Sequence, residues 1–376
     1  MIIGHGVATG RGRAFRFAVL VVGLCSLLPG LSAADSVDEA RRAIANASSR
    51  SPAWTGPTSG PSAAPGKSIA VLAEDLRNGG VLGVAQGIRE AAREIGWKVR
   101  IFDAGGTAAG RSRAAADALA SQPDGLVICG SDAHELEPTL RQATPRLPPM
   151  VGWHAGPSPG AIAGTGVAMN VSTDPIAVAR TTALAAVAQS GGKAGVVVLT
   201  DSRFAIATAK AQAMGDVIRQ CSGCTLLEVR DVAISESATR MPIVTRELLA
   251  AHGPRWTHAL AINDIYFDYA VPVLIEAAVP NRAISLLSAG DGSAPAFMRI
   301  RAGTYQTGTV AEPLNMQGWQ VVDELNRLFA GQTVSGFVAP VHLVFGENVV
   351  SDGGSRFVYD PENGYRDVYL RIWKRR

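Results

Sequence analysis

Residues 67–80 read KSIAVLAEDLRNGG. A short apolar run, 69–73, is closed by charged and turn-forming residues, and a helical pattern over 81–95 comes next. Apolar runs this short suit strands covered on both faces of a parallel sheet. The pattern continues: strands over 98–102, 125–129 and 149–153 alternate with helices over 108–121 and 136–144. Strands alternating with helices imply right-handed βαβ units.

The pattern then restarts. Helices are expected over 174–190, 204–220, 236–251 and 265–278, and strands over 194–199, 225–229, 258–262 and 284–288. A strand over 304–310 leads into a helix over 314–329, and a last strand covers 338–345. Residues 366–373 read as one more strand packed on the body. The fold class is therefore α/β. The pattern alone allows two doubly wound halves or a single larger α/β enzyme. Ahead of it, residues 35–50 suit a short amphipathic helix. Residues 51–66 (SPAWTGPTSGPSAAPG) form a Pro-, Gly- and Ser-rich lead-in, which Trp54 is expected to pin to the body.

The N-terminus points to export. Arg11, Arg13 and Arg16 precede an apolar run over 17–28, Pro29-Gly30 ends it, and Ser32-Ala33-Ala34 offers small residues for cleavage. That is the layout of a secretory signal over residues 1–34. A membrane anchor would need about 20 apolar residues. Leu24 before Cys25 is too bulky for a lipid-attachment site, and no twin arginine is present. Removing residues 1–34 takes three of the 35 basic residues and none of the 32 acidic ones, which leaves the mature chain balanced. A balanced chain is no electrostatic binder of nucleic acid.

Cys129 lies in an apolar run and reads as a buried small hydrophobe. Cys221-Ser222-Gly223-Cys224 has no second CxxC to complete a zinc site, and in an oxidising compartment it reads as a structural disulfide at a helix-to-strand turn. No GxSxG, P-loop, HExxH or GxGxxG stands in the chain, and the six histidines show no metal-ligand spacing. Neither an enzyme nor a cofactor or metal site is expected. What stands out are polar and aromatic residues after strand C-terminal ends, the edge where open α/β sheets bind ligands. They are Glu74 to Gly80 with Asp75 and Asn78, Gly130-Ser131-Asp132, Trp153-His154, Thr200 to Phe204, Asn263 to Phe267 with Tyr266, and Ala289-Gly290-Asp291-Gly292. Each has a plain reading as a cap or turn. Together they describe a cleft for a small polar molecule.

Ala261-Ile262-Asn263-Asp264 followed by a helix, Leu287 to Gly292, the opening Asp75 to Gly80, Gln86-Gly87, and Gly308 to Pro313 resemble the type I periplasmic binding proteins, in the ribose-binding-protein-like branch. The resemblance spans about residues 67–348. It implies two Rossmann-like lobes with parallel sheets, joined by three crossovers, closing on a sugar or similar polar ligand. It places the N-lobe at 67–172 and 313–337, the C-lobe at 173–312 and 338–349, and a C-terminal extension at 350–376. It implies polar contacts from Asn78, Asn263 and Asp291, with Glu312 at the hinge where sugar binders often carry an amide. Trp153-His154 stands where they often carry Asp-Arg, and the helix-borne arginine is replaced near Thr208. Gly79-Gly80-Val81 supplies no stacking ring, which leaves Trp153, Phe204, Tyr266 and Phe267 as candidates. An acidic set without a placed arginine favours a neutral polyol or a cation. The expected protein is a monomeric periplasmic receptor that delivers its ligand to an inner-membrane ABC permease or, alternatively, signals to a chemoreceptor or sensor kinase.

Overall fold

The computed structural model describes residues 33–49, 53–144 and 146–374. The expected signal segment lies outside these residues except for its last two. The first lobe is built on β1 (Ser68–Ala73), β2 (Lys98–Asp103), β3 (Gly125–Cys129), β4 (Met150–Trp153), β5 (Gly160–Ile162) and β6 (Val167–Val171). The second uses β7 (Gly195–Thr200), β8 (Thr225–Asp231), β9 (His258–Ala261), β10 (Ser285–Ser288), β11 (Gln306–Val310) and β12 (Leu343–Phe345). The strand orders are β2-β1-β3-β4-β6-β5 and, read from the matching edge, β8-β7-β9-β10-β11-β12. In each sheet only the last strand is antiparallel. The first four strands of the two lobes therefore repeat one topology, and the far edges differ: the antiparallel edge strand β5 precedes its neighbour β6 in the chain, whereas β12 follows β11.

β3 and β7 are buried along their whole length, as strands between two helical layers must be. In the first lobe, α2 (Gly79–Glu94) and α10 (Leu314–Phe329) cover one sheet face, while α3 (Ala108–Ala120) and α4 (Ala133–Ala143) cover the other. In the second lobe, α5 (Pro175–Gln189), α6 (Ala205–Gln220), α7 (Ser237–His252) and α8 (Ile265–Glu276) pack around one continuous core. α9 (Ala294–Ala302) packs on β11. The chain crosses between lobes at 172–174, 311–313 and 330–342.

Three sequence expectations need correction. Residues 366–373 are not a strand: α12 (Tyr365–Trp373) is a helix, because Tyr365, Tyr369 and Trp373 recur every fourth residue and bury one face. The strand expected over 338–345 shrinks to β12, since the preceding residues, with Pro340, run between the lobes. Strands β5 and β6 have no counterpart among the expected elements; β6 continues the first sheet beyond β4, and β5 closes its edge. Elsewhere expected elements shift by three residues at most at either end; α4 starts three earlier, at Ala133, because Asp132 caps it. The lead-in packs as expected: the Trp54 ring lies 5.0 Å from Phe337 and 5.4 Å from Tyr369. Ahead of it, α1 (Ala33–Ala47) lies on α5. Cys221 and Cys224 form a disulfide between the end of α6 and the start of β8, and Cys129 is buried and free.

Candidate ligand site between the lobes

Parallel strands bring their C-terminal ends to one edge, and the two lobes turn these edges toward each other. Between them is a cavity of about 60 Å³. Asp75, Asn78, Trp153 and His154 line it from the first lobe, and Phe204, Asn263 and Asp291 from the second. The cavity is narrow because the start of α2 abuts the opposite lobe. A Cβ on Gly80 would lie 2.1 Å from Asp291 Oδ2, and one on Gly79 would lie 2.8 Å from the Ser293 Cβ. The Gly79-Gly80 pair, which offers no ring to a ligand, is what lets the lobes meet.

The polar contacts are shared. Asn78 Oδ1 accepts from Gly80 N at 2.9 Å, capping α2, and lies 3.5 Å from Asn263 Nδ2. Asn263 donates through Nδ2 to Asp291 Oδ2 at 2.8 Å and accepts from Ile265 N through Oδ1 at 3.0 Å. Asn263 thus tops α8, and Asp264 does something else. The Asp264 carboxylate is buried and accepts from Ser288 Oγ, Gln306 Nε2 at 2.9 Å, Gly292 N at 2.8 Å and Ser293 N at 3.0 Å. It fixes the loop that carries Asp291.

His154 stacks on Trp153 with ring centroids 4.0 Å apart. Its φ of +47° is in the left-handed region, which a non-glycine residue occupies only when its surroundings hold it there. Nε2 lies 3.0 Å from Glu312 Oε1, and Nδ1 lies 3.9 Å from Asp291 Oδ1. Glu312 Oε2 accepts from Gln317 Nε2 at 2.5 Å and Thr173 N at 3.2 Å. Glu312 therefore joins two interlobe crossings to His154. It does not line the cavity. Burial alone would raise its pKa, but His154, Lys210 and Gln317 together bring it down to about 2. Asp291 is pushed up by burial, against the pull of His154 and Lys210. Lys210 Nζ donates to Ala289 O at 2.7 Å.

His154, Asp291 and Glu312 each offer a ligand atom, all within 4.8 Å of one another. A metal ion would take one imidazole nitrogen. Here each ring nitrogen faces a different carboxylate, and Lys210 already supplies positive charge beside them. The arrangement suits a hydrogen-bonded charge cluster better than a metal centre.

Tyr266 does not reach the cavity: its ring is fully buried in the second lobe, and its hydroxyl donates to Val232 O at 2.7 Å. Phe267 is buried in the same core. Of the expected ring surfaces, Trp153 and Phe204 line the cavity. Three further charged residues line it: Glu74 and Arg203 stand in stretches the sequence singles out but without a role of their own there, and Lys210 lies outside those stretches. Glu74 accepts from Ser131 Oγ at 2.6 Å and Arg111 Nη1 at 2.7 Å. Arg203 pairs with Asp201 through Nε at 2.9 Å and Nη2 at 2.6 Å. Lys210 lies two positions beyond Thr208, where the resemblance puts a helix-borne arginine. It is legible from periodicity, because it shares the buried face of α6 with Ala207, Ala211 and Met214.

No curated protein matches the chain. Among solved structures, it is similar to an ABC transporter solute binding protein from Agrobacterium vitis with bound allitol, at 18% identity and a TM-score of 0.64, over 76% of this chain and 97% of that one. A sugar ABC transporter protein from Yersinia enterocolitica subsp. enterocolitica 8081 aligns at 17% identity and TM-score 0.68, over 82% and 94%. An ABC transporter solute binding protein from Burkholderia graminis C4D1M in complex with D-arabinose aligns at 17% and 0.67, over 77% and 98%. These identities carry the fold alone. The sequence profile described as periplasmic binding protein domain matches residues 69–333, most of both lobes. With two α/β lobes of matching core topology facing a shared cleft, the chain belongs to the periplasmic binding protein domain family.

Proposed function

We propose that this protein is an exported, non-catalytic solute receptor that closes its lobes on one small, neutral polyhydroxy molecule and delivers it to an ABC permease. The observation that carries the reading is the meeting of Asn78 from one lobe with Asn263 and Asp291 from the other. A closed cleft strips water from ligand hydroxyls, and each then needs a protein partner. Asn supplies donor and acceptor together, and an ionised Asp accepts.

Charge argues for a neutral ligand. Glu74 faces Arg111, Asp75 faces Arg77, Asp201 faces Arg203, and Asp291 and Glu312 face His154 and Lys210. A charged ligand would leave one charge unpaired in a desolvated site. Lys210 and Arg203 thus remove the case for a cation that an acidic set alone would make. Allitol and D-arabinose, bound by two of the similar structures, are neutral and polyhydroxylated. The periplasmic location rests on the signal-like N-terminus.

The test is native mass spectrometry of protein purified from periplasm, followed by calorimetry with pentoses, hexoses and alditols. One neutral polyhydroxy molecule per chain, bound without turnover, is expected. A charged ligand, or chemical conversion of the bound molecule, would overturn the proposal.

A further inference from the structure

The family match ends at residue 333 and starts at 69, and both termini lie outside it. Each terminal segment touches both lobes. At the N-terminus, Val37 and Ala40 of α1 belong to the core of the second lobe. Beyond the end of α1, Trp54, Ala63 and Ala64 pack into the first. At the C-terminus, α11 (Val349–Gly353) places Val349 against Phe297 and Ile300 of the second lobe. Tyr365, Tyr369, Ile372 and Trp373 of α12 then enter the core of the first. The two segments are also tied to each other. Asn348 Nδ2 donates to Ser48 O at 3.3 Å on one side, and Ala63 N donates to Trp373 O at 2.9 Å on the other.

Between α11 and α12 the chain runs beside the interlobe crossings. Tyr359 stacks on His342 at 4.2 Å, and His342 Nε2 lies 2.7 Å from Asp352 Oδ2. His342 O accepts from Ala311 N at 2.9 Å, in the neighbouring crossing. Arg366 then joins Asp360 at 2.8 Å and Glu90 of α2 at 2.7 Å. The lobes are thus joined five times, by the three crossings within the family match and its flank and by one at each terminus.

We propose that the two terminal segments act as a strap that limits how far the lobes can rotate apart. Opening about a hinge lets the lobes swing while the hinge strands bend. A segment whose apolar side chains are buried in both lobes must stretch or detach for that swing to occur, and the C-terminal one is in addition stacked on the hinge through Tyr359. Detaching α12 would expose Trp373, Tyr369 and Tyr365, three large aromatic side chains whose burial opposes release. The inference rests on reading the lobes as a closing pair.

The test uses the full chain. A site-specific protease sequence is inserted between Gly354 and Ser355, both exposed. Spin labels are placed at Arg113→Cys on α3 and Gln212→Cys on α6, positions on opposite lobes that are not buried. Interlobe distances are read by double electron–electron resonance before and after cleavage. Native mass spectrometry checks that the cleaved fragment stays bound. Intact protein should give one narrow distribution. Cleaved protein should gain a second, longer-distance population, and uncleaved Tyr359→Ala should broaden the distribution in the same direction to a smaller extent. Identical distributions in all three would overturn the strap. That outcome would leave ligand capture untouched, because capture is judged separately by the mass of the bound molecule.

Discussion

The two lobes start from the same turn and end in different tips. After β1, Asp75 accepts from Arg77 N at 3.0 Å and from its guanidinium at 2.9 and 2.6 Å; after β7, Asp201 accepts from Arg203 N at 3.1 Å and from its guanidinium at 2.9 and 2.6 Å. The next strand of each lobe ends in an aspartate, Asp103 or Asp231, that accepts from the residue between Asp and Arg. This frame is duplicated to the level of single hydrogen bonds. The lobes part ways at the later strand ends. After β3, Asp132 accepts from His134 N and caps α4. After β9, Asp264 leaves the capping to Asn263 and holds the Asp291 loop. The first helix after β1 starts with Gly79-Gly80 behind the cap Asn78, and its counterpart after β7, α6, starts with Ala205-Ile206 behind Phe204. The shared frame builds a lobe. The divergent tips decide how the lobes meet and what lies between them.

The sharpest way to break this comparison is to remove the two equivalent aspartates. Asp264→Ala takes the acceptor from Ser288 Oγ and from the Gly292 and Ser293 amides, and one of several acceptors from Gln306 Nε2, and should cost at least about 3 kcal/mol in chemical denaturation. Asp132→Ala removes one N-cap and should cost about 1 kcal/mol. Equal losses would mean that the tips are as alike as the frame.

A pH titration separates the lobes next. β9 starts with buried His258, where β3 starts with Gly125. Burial lowers the His258 pKa from 6.5 to about 4. Below pH 6.5 the unfolded chain takes up a proton that the folded chain refuses, so this group's contribution to stability falls as pH drops toward about 4 and then levels off. The full span is on the order of 3 kcal/mol. His258→Gln should flatten that part of the stability profile, measured as urea midpoints across the range. An unchanged slope would assign it to other groups.

Gly80→Ala addresses the meeting point. Its Cβ would collide with Asp291 Oδ2. Ligand affinity, measured by calorimetry, should weaken by about 1–3 kcal/mol, the usual cost of overpacking. The melting temperature of the ligand-free protein should change little, because Ala is the better helix former. Full affinity would show that the lobes do not approach each other there during binding.

Much of this frame is legible in the sequence. Apolar runs buried on both faces mark β1, β3 and β7, and helical periodicity marks the helices between them. Because parallel strands collect their ends at one edge, the polar residues after them are also legible as a cleft. The rest is hidden for particular reasons. β5 is three residues long and has no signal of its own. Tyr266 follows a strand end as Asn263 does, and only packing shows that it turns inward. Lys210 escapes notice because a lysine usually marks an exposed face, although its helical position puts it on the buried one. The Asp-x-Arg pair stands in plain sequence in both lobes, but nothing short of the fold shows the two turns to be equivalent.

The central claim is that one ligand is held from both lobes at once. The direct measurement is calorimetric titration of the natural ligand into wild type, Asn78→Ser and Asp291→Asn. Serine keeps the helix cap of Asn78 but not its amide, and asparagine keeps the shape of Asp291 but not its charge. The account predicts that each variant, one per lobe, binds more weakly by roughly 1–3 kcal/mol, with ligand-free melting temperatures near that of the wild type. Wild-type affinity in either variant would contradict it, because the ligand would then be held by one lobe alone.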